Sequence, residues 1–318
     1  MAAETTVSRL GLKQGSSPAD NFELFLKKFA GEVLTTFETE NVFKPLHLVR
    51  TIESGKSAQF PVTGTATAKY HSPGDNMLLA GNSYINSIAH SEKVITIDGL
   101  LTSSTFVAKI DEAMNHYDVR SIYTTELGRA LSKKFDTTIA KVVLLAARAT
   151  ANLTGGKGAQ SVTTGATPNG AKLAESIYSA AQLLDEADVP AEERYAVLSP
   201  ANYYKVVQSL AAVGNANPVG SFVDGSVVRI AGVQIVKSNN LPSTNVTSSE
   251  GNNGGYTGNF TNTVGVVFHK NAVGTVKLLD LAVESEYKIE LQGTFMVAKY
   301  AMGHGILRPE CSVELKTA

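Results

Sequence analysis

Residues that carry chemistry in other proteins are present in this chain, but their spacing forms no working set. Thr154-Gly155-Gly156-Lys157-Gly158 has the glycines and the lysine of a phosphate-binding loop. Such a loop needs Ser or Thr directly after the lysine, to reach a magnesium ion, and a strand in front of it. Here Gly158 follows and a helical pattern precedes, so no nucleotide site is expected. There is no Gly-x-Ser-x-Gly turn for a nucleophilic serine, no His-Glu-x-x-His pair for zinc and no acidic calcium loop. His47, His71, His90, His116, His269 and His304 are scattered singly, and each reads as a hydrogen-bonded structural residue rather than a ligand or base. His304 stands between Gly303 and Gly305, which reads as a sharp bend between strands. Asp111, Glu112 and Asp118 lie close together, but acidic side chains at helix starts favour the local dipole without any catalytic role. Cys311 is the only cysteine, which excludes an internal disulfide and a cysteine-based zinc site. No catalytic, cofactor-binding or metal-binding residue is assigned, and no cofactor is expected.

Composition narrows the class further. A chain of 318 residues has room for two ordinary domains or one large one with a sizeable core. The hydrophobic fraction of 43% suits a soluble globular protein, and no apolar run approaches the ~20 residues that span a bilayer. Residues 1–12 carry only Arg9 as a positive charge and no apolar stretch follows, so no secretory signal and no membrane partner is expected. Lys and Arg total 28 against 29 acidic residues, a net charge of −1 that leaves no electrostatic footprint for gripping phosphates. Charged residues are 18% of the chain, below the roughly 25% of ordinary domains. This reads equally as compositional drift or as a surface suited to burial against neighbours, since interface cores are depleted in charge.

The elements that must position these residues follow from periodicity. Residues 1–19 are small, polar and aperiodic, and read as a mobile arm. Asp20 can cap a helix whose Phe22, Phe25, Leu26, Phe29, Val33 and Phe37 recur at three- and four-residue steps. That stripe packs either on its own domain or on a neighbouring subunit. From 50 to 98 the chain reads as a long, loose-tipped β-hairpin: an extended stretch at 57–70, turn chemistry at 71–76, and strict alternation through Val94, Ile95 and Ile97. Few apolar residues mark its middle, so it has to rest on something else.

Asp118 reads as the cap of a helix running to about Ala151, roughly 50 Å of rod at 1.5 Å per residue. Gly128 inside it costs about 1 kcal/mol against Ala and is expected to admit a neighbouring segment. Residues 152–170 read as a connector, followed by a helix at 171–187, a strand at 195–198 and a helix opened by Pro200. Short strands at 227–230 and 233–236 come next, then a Gly/Asn/Ser/Thr-rich surface loop at 243–262. Strands at 264–268, 275–279, 287–291, 294–300 and 311–315 close the chain. Helices segregated from hairpin-like strands indicate an α+β fold.

Several runs resemble the major capsid protein family of T-seven-like short-tailed bacteriophages. They are Ser54-Gly55-Lys56-Ser57-Ala58-Gln59-Phe60-Pro61, Glu92-Lys93-Val94-Ile95-Thr96-Ile97-Asp98-Gly99-Leu100-Leu101, and Asp111-Glu112-Ala113-Met114-Asn115-His116-Tyr117-Asp118-Val119-Arg120-Ser121. Ala272-Val273-Gly274-Thr275-Val276-Lys277-Leu278, Ala298-Lys299-Tyr300-Ala301-Met302-Gly303-His304-Gly305 and Leu307-Arg308-Pro309-Glu310 extend the likeness through most of the chain, more loosely between 171 and 264. The resemblance implies a Hong Kong 97-type capsid fold. It would comprise an arm with an amphipathic helix at 1–49, an extended hairpin loop at 50–98 and a peripheral domain with a spine helix at 99–169. An axial domain at 170–273 and return strands at 274–318 complete it.

It also implies hexamers and pentamers assembled on a scaffolding protein in the bacterial host cytoplasm. The resulting virion shell would have a portal protein at one vertex and enclose double-stranded DNA without specific binding. Candidate subunit-interface residues are Phe22, Phe25, Phe29 and Phe37 on the arm, Phe60, Tyr70, Tyr84, Glu92 and Lys93 on the hairpin, and Arg120 on the spine helix. The competing readings are an encapsulin-type compartment of the same fold and a soluble α+β enzyme with an unrecognised site.

Overall fold

Val264, Val266, Val267 and Phe268 form a nearly continuous apolar run, the pattern of a strand covered on both faces. In the computed structural model, which describes residues 42–64, 66, 68–78, 84, 88, 90–114, 119–152, 156–212, 229–253 and 255–317, this run is the centre of the larger of two main sheets. The arm at 1–19, the Phe-rich pattern at 20–37 and Asp118 lie outside the described residues.

In chain order the strands are β1 (Leu48–Thr51), β2 (Ser57–Thr63), β3 (His90–Thr96) and β4 (Leu101–Ala108). The helices α1 (Lys109–Met114) and α2 (Val119–Arg148) follow, then β5 (Ser161–Thr163), α3 (Gly170–Glu186), β6 (Arg194–Leu198) and α4 (Pro200–Ala212). The remainder is β7 (Arg229–Ile230), β8 (Val233–Lys237), β9 (Asn245–Val246), β10 (Gly258–Asn259), β11 (Thr263–His269), β12 (Val273–Lys288), β13 (Gly293–Ile306) and β14 (Ser312–Lys316). The six-stranded sheet runs β5-β14-β11-β6-β8-β7 and the four-stranded sheet runs β1-β12-β13-β4. Among the described residues β2 and β3 pair only with each other, as an antiparallel ribbon.

The spine helix α2 has 30 residues, about 45 Å of rod, and it joins the two sheets. Phe135 on it meets Tyr300 and His304 of β13 edge-on, with ring centroids 6.4 and 5.2 Å away. Toward its end Ile139, Val143 and Leu144 are fully buried in the main apolar cluster with Leu173, Val266 and Phe268. Arg148 in its last turn grips Glu314 of β14 through two hydrogen bonds of 2.6 and 2.7 Å, a cation placed where the helix dipole favours it. Asn169 caps α3 by accepting from the Lys172 N–H at 2.9 Å. Pro200 opens α4 as its ring favours. The first residue of α3, Gly170, is glycine because a Cβ there would lie 1.9 Å from the Lys205 carbonyl of α4.

Five expectations change. The strand expected at 275–279 is part of one 16-residue strand, β12, which continues through two register shifts between Lys277 and Ala282 and ends at Lys288, and most of the strand expected at 287–291 is instead a 3-10 turn at Ile289–Leu291. Gly303-His304-Gly305 is no bend but lies inside β13, where the glycines permit close backbone approach. The connector at 152–170 contributes β5 to the six-stranded sheet. The loop at 243–262 is not merely surface: Tyr256 and Phe260 are buried. Nothing among the described residues comes within 4 Å of a Cβ built on Gly128, so none of the described segments uses that gap.

Candidate assembly interface

The ribbon β2–β3 departs from the body between Thr51 and Gly99, and sequence alternation decides which face it turns inward. Along β2, Ala58, Phe60 and Val62 are buried while Ser57, Gln59, Pro61 and Thr63 are exposed. Ala58 and Phe60 join Ile95, Ile97, Val276, Ala301 and Leu307 in a small apolar cluster separate from the main core. Beneath it, Gly303 and Gly305 let the ribbon lie directly on β13. A Cβ on Gly303 would sit 2.1 Å from the Thr96 carbonyl oxygen, and one on Gly305 would sit 2.7 Å from the Ile95 side chain.

Polar groups complete the attachment. Asp98 accepts from the Asn252 N–H at 2.5 Å and from the Tyr256 hydroxyl at 2.7 Å. Tyr256 in turn accepts from the His304 N–H at 3.2 Å. Burial raises the Asp98 carboxyl above its ordinary value, against the lowering effect of its two donors. Deeper in, His47 Nδ1 lies 2.6 Å from the Phe43 carbonyl, which can only accept, so this nitrogen carries the proton. His47 Nε2 then accepts from the Thr275 hydroxyl at 2.8 Å, and that oxygen accepts from His304 Nδ1 at 2.9 Å. Both imidazoles are neutral in this chain of bonds. Burial holds His47 down at about 4 and His304 at about 3. The segment entering β1 is anchored by Asp136 of α2, which accepts from the N–H groups of Val42 and Phe43 and from Asn240. Asp136, too, is raised by desolvation.

The distal ribbon is different in kind. Tyr70 is 102% exposed and Leu78 81% exposed, and Met77 and Ile88 are exposed as well. Its described hydrogen bonds stay within it: His71 with the Asp75 carbonyl, and the Tyr84 hydroxyl with the Ser72 N–H and the Asp75 carboxylate.

The candidate interface residues therefore separate. Tyr70 stands free in solvent, and Tyr84 is half-buried in the tip's own bonds. Glu92 is exposed, and Lys93, opposite Phe60 in the ribbon, is half-buried. Phe60 finds its partners inside its own chain, with the Arg50 guanidinium 5.6 Å above its ring. Arg120 lies in the first turn of α2. Phe22, Phe25, Phe29 and Phe37 fall outside the described residues. Residues that periodicity passed over, Asn252, Asn253 and Asp98, turn out to hold the ribbon; their only sequence signal was turn chemistry.

Nothing in this geometry assembles a reaction centre: among the described residues no three metal-binding side chains converge, and no helix is long and apolar enough to cross a membrane. The broad pocket lined by Arg148, Glu314, Asn259 and Lys316 has Arg148 and Glu314 paired with each other in its wall. Instead, a body with two sheets and a spine helix carries a projecting ribbon, and this is the architecture of a shell subunit. The capsid of Cyanophage P-SCSP1u has the same fold, with a TM-score of 0.80 at 43% identity over 99% of each chain. The mature capsid of bacteriophage PhiM1 shares the fold at TM-score 0.76 and 20% identity, over 98% of this chain and 97% of that one. A virus-like particle from Pyrococcus furiosus shares it more distantly, at TM-score 0.52 and 15% identity, over 86% and 90% of the two chains. The fold is the Hong Kong 97-type capsid fold.

Sequence comparison narrows this class. The family described as Gp10A-like major capsid protein matches residues 59–316. The major capsid protein of Escherichia phage T7 is 36% identical over 98% of both chains, and that of Enterobacteria phage T3 is 37% identical over 94% of this chain and 93% of its own. The chain belongs to this family of tailed-phage major capsid proteins. It is a structural subunit of a virion shell, built by association of copies with one another, and not an enzyme.

Proposed function

We propose that the chain assembles as hexamers and pentamers into an icosahedral head that encloses double-stranded DNA, with the distal hairpin of each copy laid on the next. The single observation that carries this is the ribbon. A segment with Tyr70 and Leu78 in solvent and few apolar residues of its own cannot be ordered by its own burial, so it takes its partners from another copy. In this reading 1–49 is the arm, 50–98 the extended loop, 99–169 the peripheral domain, 170–273 the axial domain, and 274–318 the strands that return to both.

Many modest contacts, repeated around closed symmetry, sum to a cooperative surface. A net charge of −1 suits a wall against which DNA is packed, because each phosphate neutralised by the shell would add a salt-sensitive attraction. Assembly on a scaffolding protein in the bacterial host cytoplasm, with a portal protein at one vertex, completes the proposal.

The test deletes 64–88, bridged by a two-residue turn, so that the buried base of the ribbon stays. The subunit is expected to melt as wild type does but to form no closed shells in electron micrographs when co-expressed with scaffolding protein. Closed shells of normal size from the deleted subunit would overturn the reading.

A further inference from the structure

The base of the ribbon is held by more than its apolar cluster. Because Ile97 donates to the Lys56 carbonyl across the ribbon at 2.8 Å, Thr96 turns its N–H and C=O outward, away from β2. Asn253 meets both. Its Oδ1 accepts from the Thr96 N–H at 2.9 Å and its Nδ2 donates to the Thr96 carbonyl at 2.6 Å. One side-chain amide thus takes the place of a neighbouring strand. Next to it, Asn252 Nδ2 donates to the Ile97 carbonyl at 2.9 Å, and the Asn252 N–H donates to Asp98. On its other face the same stretch rests on Gly303.

The loop that carries the two asparagines is fixed elsewhere. Glu250 pairs with Lys134 at 2.7 Å and Lys141 at 3.5 Å, both on α2. The loop closes on itself through the Glu250 N–H and the Gly255 carbonyl at 2.9 Å. Gly251 and Gly255 turn it with φ of +76° and +74°, and a Cβ on Gly251 would lie 2.8 Å from the Asp98 carboxylate. Further on, the chain passes through β10, which pairs with β9, into β11 of the six-stranded sheet. Ribbon, spine helix and large sheet therefore meet in one short loop.

We infer that Asn252 and Asn253 act as a clasp that sets the direction in which the hairpin leaves the body, and that closure of a uniform shell depends on that direction. Residues 64–89 separate the two strands of the ribbon, enough chain to reach up to roughly 40 Å if half runs out and half returns extended, so a small angular error at the base becomes a large displacement at the tip. Apolar burial alone is poorly suited to fix an angle, because it is non-directional. Hydrogen bonds, which weaken steeply as they bend, supply the direction. Gly303 sets the depth of the seat and the asparagines set the angle, while Glu250 ties that angle to the spine helix.

The inference rests on the proposal that the hairpin reaches a neighbouring copy, and the experiment separates the two. Asn252→Ala with Asn253→Ala, Asn253→Asp alone, and the 64–88 deletion are compared as unassembled subunits and after co-expression with scaffolding protein. In the double variant the Thr96 amide is expected to exchange with solvent at least tenfold faster, with a melting temperature within about 3 °C of wild type. Its shells are expected to be open or of mixed diameter. Asn253→Asp keeps the acceptor and loses the donor to the Thr96 carbonyl, and is expected to give a milder form of the same defect.

Uniform closed shells from the double variant, despite fast exchange at Thr96, would overturn the clasp. So would a steep fall in melting temperature in both asparagine variants, which would make these residues ordinary folding contacts. If the tip deletion closes normal shells, the underlying reading fails first. If it does not, while the asparagine variants close normally, the clasp alone is wrong.

Discussion

Two regions tied to the spine helix, one by direct packing and one through the Glu250 loop, are held by different physics. Where the second half of the helix meets the six-stranded sheet, Ile139, Val143, Leu144, Val266 and Phe268 are fully buried in one large aliphatic and aromatic cluster. At the ribbon base, Phe60, Ile95, Ile97 and Leu307 make a much smaller cluster, and the rest of the hold comes from directed bonds to Asp98, Thr96 and Ile97 over a glycine seat. The first arrangement stabilises in proportion to the area it removes from water, about 25 cal/mol per Å². The second contributes less energy and more orientation. A shell subunit needs both: a body that survives alone, and a projection whose angle is specified.

The comparison is broken most forcefully from the body side. Phe268→Ala should cost about 3–5 kcal/mol, because the site is fully buried and packed on both faces, and should appear as a large drop in the denaturation midpoint of the unassembled subunit. Gly303→Val should cost less, about 3 kcal/mol at most, yet affect assembly more, since the new side chain has to lift Thr96 off β13. Comparing melts with micrographs of the two variants checks that ranking. Thr275→Val removes the hydroxyl between His47 and His304 and leaves two buried ring nitrogens without partners, a loss of about 2 kcal/mol measurable by urea denaturation.

A pH series sharpens the same point. His47 at about 4 and His304 at about 3 lie below the ordinary 6.5, so the unfolded chain takes up protons first as pH falls. Stability from these two groups is therefore complete above about 6.5 and declines toward pH 3. Asp98 and Asp136 act in the opposite sense, because burial raises them and protonation favours the folded state. Replacing both histidines by glutamine should flatten the acid limb of the melting profile and leave the neutral region in place.

The smallest effect is expected at Gly128. Alanine there should stabilise the isolated subunit by up to about 1 kcal/mol, since a Cβ meets nothing within 4 Å among the described residues. A stabilised subunit that assembles poorly would mean that a neighbouring copy uses the gap.

Periodicity alone determined a good deal. It placed the spine helix to within a few residues of its end, found α3 and found α4 with Pro200 at its start, and paired β2 with β3, because apolar spacing and capping residues are local signals. The family resemblance identified the shell. Tertiary structure alone decided where glycines and asparagines matter. Gly303 looks like a bend in the sequence and serves as a seat in the fold, and Asn253 looks like part of a loose loop yet completes a strand edge. Close backbone approach and side-chain mimicry of a strand leave no periodic trace, since the partner, Thr96, lies 157 positions from Asn253 and 207 from Gly303, and only the folded chain brings it near.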